Sequence, residues 1–166
     1  MASLCFFGFF RLGQLLATDP KSFSCLLWGD VSYDNASSLS ILKVHLKVSN
    51  CDQFGKGADV FVGRSNNALC PVSACYRYIG GQGSEPGYFF VGADCTPLLK
   101  PRFVSELKKA LSSMGLHTQA FAGHSFRIGA ATTVASVGLE DSTIQLLGRW
   151  NSAAFLKARI KVGESR

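Results

Sequence analysis

No two of the six cysteines, at positions 5, 25, 51, 70, 75 and 95, form a Cys-x-x-Cys pair, and none clusters with histidine at zinc-ligand spacing. A zinc module is therefore excluded. The cysteines sit mostly in apolar stretches, which predicts buried free thiols of a cytosolic or nuclear protein and argues against a disulfide framework. No apolar run reaches the roughly 20 residues that span a bilayer, so no membrane partner is expected. The apolar opening from Met1 to Phe10 has no basic leader and no small-residue cleavage site, and Arg11 ends it early. It reads as a buried first helix, not as a signal peptide. Internal repeats and low-complexity tracts are absent. The stretch from Gly80 to Gly87 is a loop without the Lys-Ser/Thr of a phosphate cradle. Acidic residues are few, 11 against 17 Lys and Arg, for a net charge of +6. That balance favours an anionic partner, and the positive charge is spread along the chain rather than held in one tail.

What is present is apolar. Of the 166 residues 47% are hydrophobic, enough for one domain with a real core. Residues 2–16 have helical character, broken at Thr18-Asp19-Pro20. Three strands are expected over Phe23–Tyr33, Leu39–Val48 and Ala58–Val62, joined as an antiparallel meander. In the second, Val44, Leu46 and Val48 share one face and Lys43, His45 and Lys47 the other. Pro71 opens a helix to Ile79, and Tyr88–Val91 reads as extended. Pro101 begins a helix that Gly115 stops after Met114. A helix over His124–Val137 ends at Gly138. Another, capped by Asp141 or Ser142, ends at Gly148, and a last short one covers Ala153–Lys161. The predicted class is α+β, mainly helical with a small three-stranded antiparallel sheet.

The chemistry lies in Gly123-His124-Ser125-Phe126-Arg127 and in Gly148-Arg149-Trp150. A His and an Arg three apart on a helix point the same way. An imidazole beside a planar five-donor guanidinium suits a phosphate. A helix N-terminus adds backbone N–H groups and a positive dipole end. Arg11, at the end of the first helix, and Trp150 could converge on the same group. His45 and His117 read as a solvent-facing strand residue and a loop residue, Lys108 and Lys109 as a solvated helix face, and Tyr76 and Tyr78 as packing residues.

The string Phe121-Ala122-Gly123-His124-Ser125-Phe126-Arg127-Ile128-Gly129-Ala130-Ala131-Thr132-Thr133, with Leu147-Gly148-Arg149-Trp150, resembles the catalytic domain of tyrosine recombinases, the phage-integrase family. It is most similar in flavour to the recombinases of DIRS-type and Ngaro-type retroelements. Cys5 to Leu15 is similar to the segment holding the family's first active-site Arg. Leu46-Lys47-Val48-Ser49 is similar to its β-hairpin strand, and Leu69 to Ala74 to the following helix start. The resemblance covers nearly the whole chain and implies a single catalytic-like domain over residues 1–166, lacking the family's N-terminal DNA-clamping domain.

The resemblance also implies a mechanism. Two Arg and a His or Trp hold the scissile phosphate and stabilise the transition state. A Tyr attacks to form a 3′-phosphotyrosyl link, and a hairpin Lys protonates the leaving oxygen. Carried over by position, Arg11, His124, Arg127 and Trp150 are the catalytic group, and Arg11, Lys47, Lys56, Arg127 and Arg149 the DNA contacts. No metal, cofactor or small-molecule substrate is implied. The expected partner is double-stranded DNA, with a homo-oligomer on DNA possible, in the nucleus or cytoplasm. Two family positions are changed. Asn50 stands where the hairpin Lys is expected and Ala158 where the Tyr is expected, and no Tyr follows Tyr88. Gln14 replaces a commonly acidic residue. The expected function is DNA binding without cleavage. The alternatives are an active enzyme with a displaced nucleophile, such as Ser142, Ser152 or a water, and a decayed retroelement fragment kept only for protein contacts.

Overall fold

In the computed structural model, residues 1–22, 24–34, 40–47, 57–82 and 87–150 are described. Among them are six α-helices and one three-stranded antiparallel sheet, an α+β arrangement. The sheet is the expected meander. β1 (Val31–Tyr33), β2 (Ile41–Leu46) and β3 (Ala58–Gly63) lie in that order. The register pairs Val31 with Val44, Val44 with Val60 and His45 with Asp59. Period-two alternation sets the faces. Leu42, Val44 and Leu46 are buried, while Lys43 and His45 reach the other side and share Asp59 at 2.8 and 2.7 Å. The expected strand from Phe23 shortens to Val31–Tyr33 because a 3-10 turn over Trp28–Asp30 precedes it. There the Asp30 carboxylate accepts the Leu27 N–H at 2.7 Å. Tyr88 and Val91 form only isolated bridges, to Leu27 and Pro97.

The first helix is not continuous. α1 (Ala2–Phe7) stops and α2 (Leu12–Leu15) begins anew. The Phe9 N–H bonds the Phe6 carbonyl and the Phe10 N–H bonds the Cys5 carbonyl, with Phe9 in the left-handed region at φ 53°. This closes the helix end. The Phe10 ring then folds back over Gly8, where a Cβ would collide with it. α3 (Pro71–Gln82) runs three residues past the expected stop at Ile79. Gly80 and Gly81 weaken a helix by about 1 kcal/mol each but do not forbid it. α4 (Lys100–Ser113) and α5 (Ser125–Ser136) end on left-handed Gly115 and Gly138, as expected. α6 (Asp141–Gly148) is preceded by Glu140, so Asp141 is its first residue rather than its cap.

α1 packs against α3 and α5, and α3 against β3. The main core gathers Leu4, Phe10, Leu12, Leu15, Leu26, Leu42, Val44, Val72 and Phe89 around the buried face of the sheet. Each such side chain contributes about 1.5–3 kcal/mol by leaving water. A second cluster joins Phe9, Ala130, Ala131 and Ile144, with Phe6 and Trp150 at its edge. The small residues of α5 let the aromatic side chains of α1 approach it closely. A Cβ on Gly129 would lie 3.6 Å from the Phe6 ring.

Cys5, Cys25, Cys70 and Cys75 are buried free thiols, whereas Cys95 is exposed. Tyr78 packs against Phe89 and Phe90, but Tyr76 is 56% exposed and is no packing residue. No helix among the described residues is long and apolar enough to cross a membrane. The expected helix over Ala153–Lys161, and the positions Asn50, Lys56 and Ala158, lie outside the described residues.

Candidate functional site

A cleft of about 480 Å³ opens where α2, the start of α4 and the start of α5 meet. Its lining includes Arg11, Gln14, Ser24, Lys100, Gly123 and His124. Arg11 is found at the start of α2, not at the end of a first helix. Its backbone N–H bonds the Gln14 side-chain oxygen at 2.9 Å. The Gln14 amide therefore closes the first turn of α2 without bringing a negative charge into the cleft. His124 directly precedes α5 and is exposed. Among the described residues no carboxylate lines the cleft.

Lys100 is the cleft residue that motif reasoning missed. Its backbone N–H bonds the Ala17 carbonyl at 2.8 Å, fixing the first residue of α4 beside the end of α2. Its side chain crosses Gly123. A Cβ there would lie 3.7 Å from the Lys100 Cε and 3.2 Å from Leu12 Cδ1. Two other cations of α4 are already paired. Arg102 bonds Asp94 at 3.0 Å, and the Thr96 hydroxyl together with Arg102 holds the Asp94 carboxyl down at about 2. Lys109 bonds Glu106 at 2.8 Å. Arg11, Lys100 and His124 have no acidic partner among the described residues.

Arg127 and Trp150 do not line this cleft. Arg127 is 3% exposed, and its Nη2–H donates to the Gly148 carbonyl. Its guanidinium carbon sits 4.2 Å from the centre of the Trp150 ring. The physical logic is that of a helix C-terminus. The last carbonyls of α6 carry partial negative charge and attract a cation. Gly148 is required for the stack, since a Cβ there would fall within the Trp150 ring. The left-handed stop expected at Gly148 therefore falls one residue later, on Arg149 at φ 55°. The four expected catalytic residues form two pairs: Arg11 and His124 at the cleft, Arg127 and Trp150 packed together between α5 and the end of α6.

Two expected DNA contacts are engaged inside the fold. Arg149 Nη2 donates to the carbonyls of Gly8 at 3.0 Å and Phe9 at 3.1 Å, and its guanidinium lies 5.2 Å from the Phe10 ring centre. Lys47 bonds Asp30 at 2.7 Å and the Cys25 carbonyl at 3.3 Å. Among the described residues no group of His, Cys, Asp and Glu could hold a metal ion.

No family model matches the sequence, and no curated protein is similar to it. The fold is similar to a solved structure of the Tn1549 transposon integrase (residues 82–397) in complex with circular intermediate DNA. The TM-score is 0.59 at 10% sequence identity, and the likeness covers 99% of this chain and 56% of that one. At that identity the likeness is one of fold, and this chain spans little more than half of that integrase's length.

Proposed function

We propose that this chain is a DNA-binding domain of tyrosine-recombinase type that holds a backbone phosphate of duplex DNA at the Arg11–Lys100–His124 cleft and does not cut it. The observation that carries the reading is the cleft itself. Two permanent cations and an imidazole line it, no carboxylate among the described residues does, and it lies on a fold similar to that of an integrase solved on DNA. Phosphate oxygens accept such donors strongly, and contacts of this kind position a duplex without reading its sequence. The Gly123–Thr133 and Leu147–Trp150 strings support a retroelement recombinase as the source of the domain.

The loss of cleavage follows from chemistry. A phosphodiester exchange through a covalent intermediate needs a nucleophile, and Ala158 has none. A leaving oxygen needs an acid. Asn50 cannot supply a proton, and the Lys47 ammonium is held by Asp30 and a carbonyl. In this reading Arg127 and Trp150 join α5 to the end of α6 and do not touch the phosphate. The test is duplex binding by the purified chain across a salt series, paired with a suicide substrate that traps covalent adducts. Salt-dependent binding with no adduct is expected. A trapped adduct would revive the displaced nucleophile, and a folded monomer that ignores DNA at low salt would leave only a protein-contact domain.

A further inference from the structure

The ends of four helices carry a residue in the left-handed region. α4 and α5 use Gly115 and Gly138, whereas α1 and α6 use Phe9 at φ 53° and Arg149 at φ 55°. A side chain in that conformation is strained, and such strain persists only where the surroundings hold it. Here the two strained ends hold each other. The Arg149 guanidinium donates to the carbonyls of Gly8 and Phe9, the two residues that follow α1, and lies against the Phe10 ring. The next residue after Phe10 is Arg11, whose backbone N–H is bonded in turn to Gln14. A short covalent path therefore runs from the clasped Phe9 carbonyl to the cation in the cleft.

We propose that Arg149 is a positioning residue: it fastens the Gly8–Phe10 link to the end of α6 and acts on a bound phosphate only through Arg11. The inference rests on the reading of the cleft as a phosphate site. It gives Arg149 a role distinct from direct DNA contact, since its donors already serve backbone carbonyls at Gly8, Phe9 and Leu147.

A double-mutant cycle on the full chain tests it, with a 20-base-pair duplex as probe across a salt series. R149G is the informative variant, because glycine keeps the left-handed stop while the clasp is deleted. R11A is expected to weaken binding about tenfold and to reduce the salt slope by about 0.9, one phosphate contact. R149G is expected to copy both changes in the wild-type background and to add nothing in the R11A background, the signature of two residues acting as one unit. Additive losses, with the slope falling twice, would show Arg149 touching phosphate itself and overturn the inference. So would R149G binding like wild type, or weakening R11A further without a slope change, which marks a general loss of fold. Should R149G fail to fold, R149Q completes the same cycle with the same decisions. If R11A alone binds like wild type, it is the phosphate reading of the cleft that fails.

Discussion

The cleft and the Arg127–Trp150 pair divide the His124–Arg127 motif between them, and they treat positive charge in opposite ways. In the cleft, Arg11 and Lys100 stand beside exposed His124, and among the described residues no carboxylate lines the space. Within α5, Arg127 is buried, bonded to the Gly148 carbonyl and stacked on an indole. A charge left open to solvent is available to a ligand and adds little to stability. One engaged by backbone and ring holds helices together, and removing it costs the fold. Arginine can thus sit on either side of that division, as Arg11 and Arg127 do, and only the packing decides which.

The sharpest way to break the comparison is at Gly148. G148A is expected to expel the Trp150 ring from its place and destabilise the protein by about 3 kcal/mol, the upper range for overpacking. Urea denaturation with tryptophan fluorescence checks it, and an unchanged midpoint would show that the ring has room to spare. Next is R127A, expected to lose about 2 kcal/mol of stability from the carbonyl bond and the cation–π stack while leaving the salt slope of duplex binding intact. A slope reduced by one unit at wild-type stability would move Arg127 to the ligand's side. R11A should do the reverse, with duplex binding about tenfold weaker and an unchanged melting temperature. The smallest effect is expected at Lys100. K100A should shift stability by no more than about 0.5 kcal/mol and lower the salt slope by about 0.9. K108A, on the same helix, serves as its control, and equal slopes for the two variants would remove Lys100 from the site.

The meander was legible because Leu42, Val44 and Leu46 alternate with polar residues, and the stops at Gly115 and Gly138 because glycine takes a left-handed turn without strain. The break after α1 was not legible. It depends on Phe9 adopting the conformation glycine prefers, held by Arg149, which is 140 positions away in the chain. The stop at Gly148 was misplaced by one residue for a related reason. That glycine is needed to admit a ring, and Arg149 takes the strained position instead. Helical spacing put His124 and Arg127 on one face, but His124 precedes α5 while Arg127 lies within it, so the two side chains part. Lys100 carried no motif at all. Its place in the cleft comes from the Ala17 carbonyl that anchors the start of α4. The family positions at 50 and 158 remain matters of sequence.

The packing of Trp150 has an optical consequence. The chain holds two tryptophans, Trp28 packed on Phe89 of the main core and Trp150 against the Arg127 guanidinium. Changing Trp28 to Phe leaves a single emitter placed on Arg127. Its intensity and wavelength then follow the distance between indole and cation. The domain so altered carries its own gauge of whether the joint between α5 and the end of α6 stays closed.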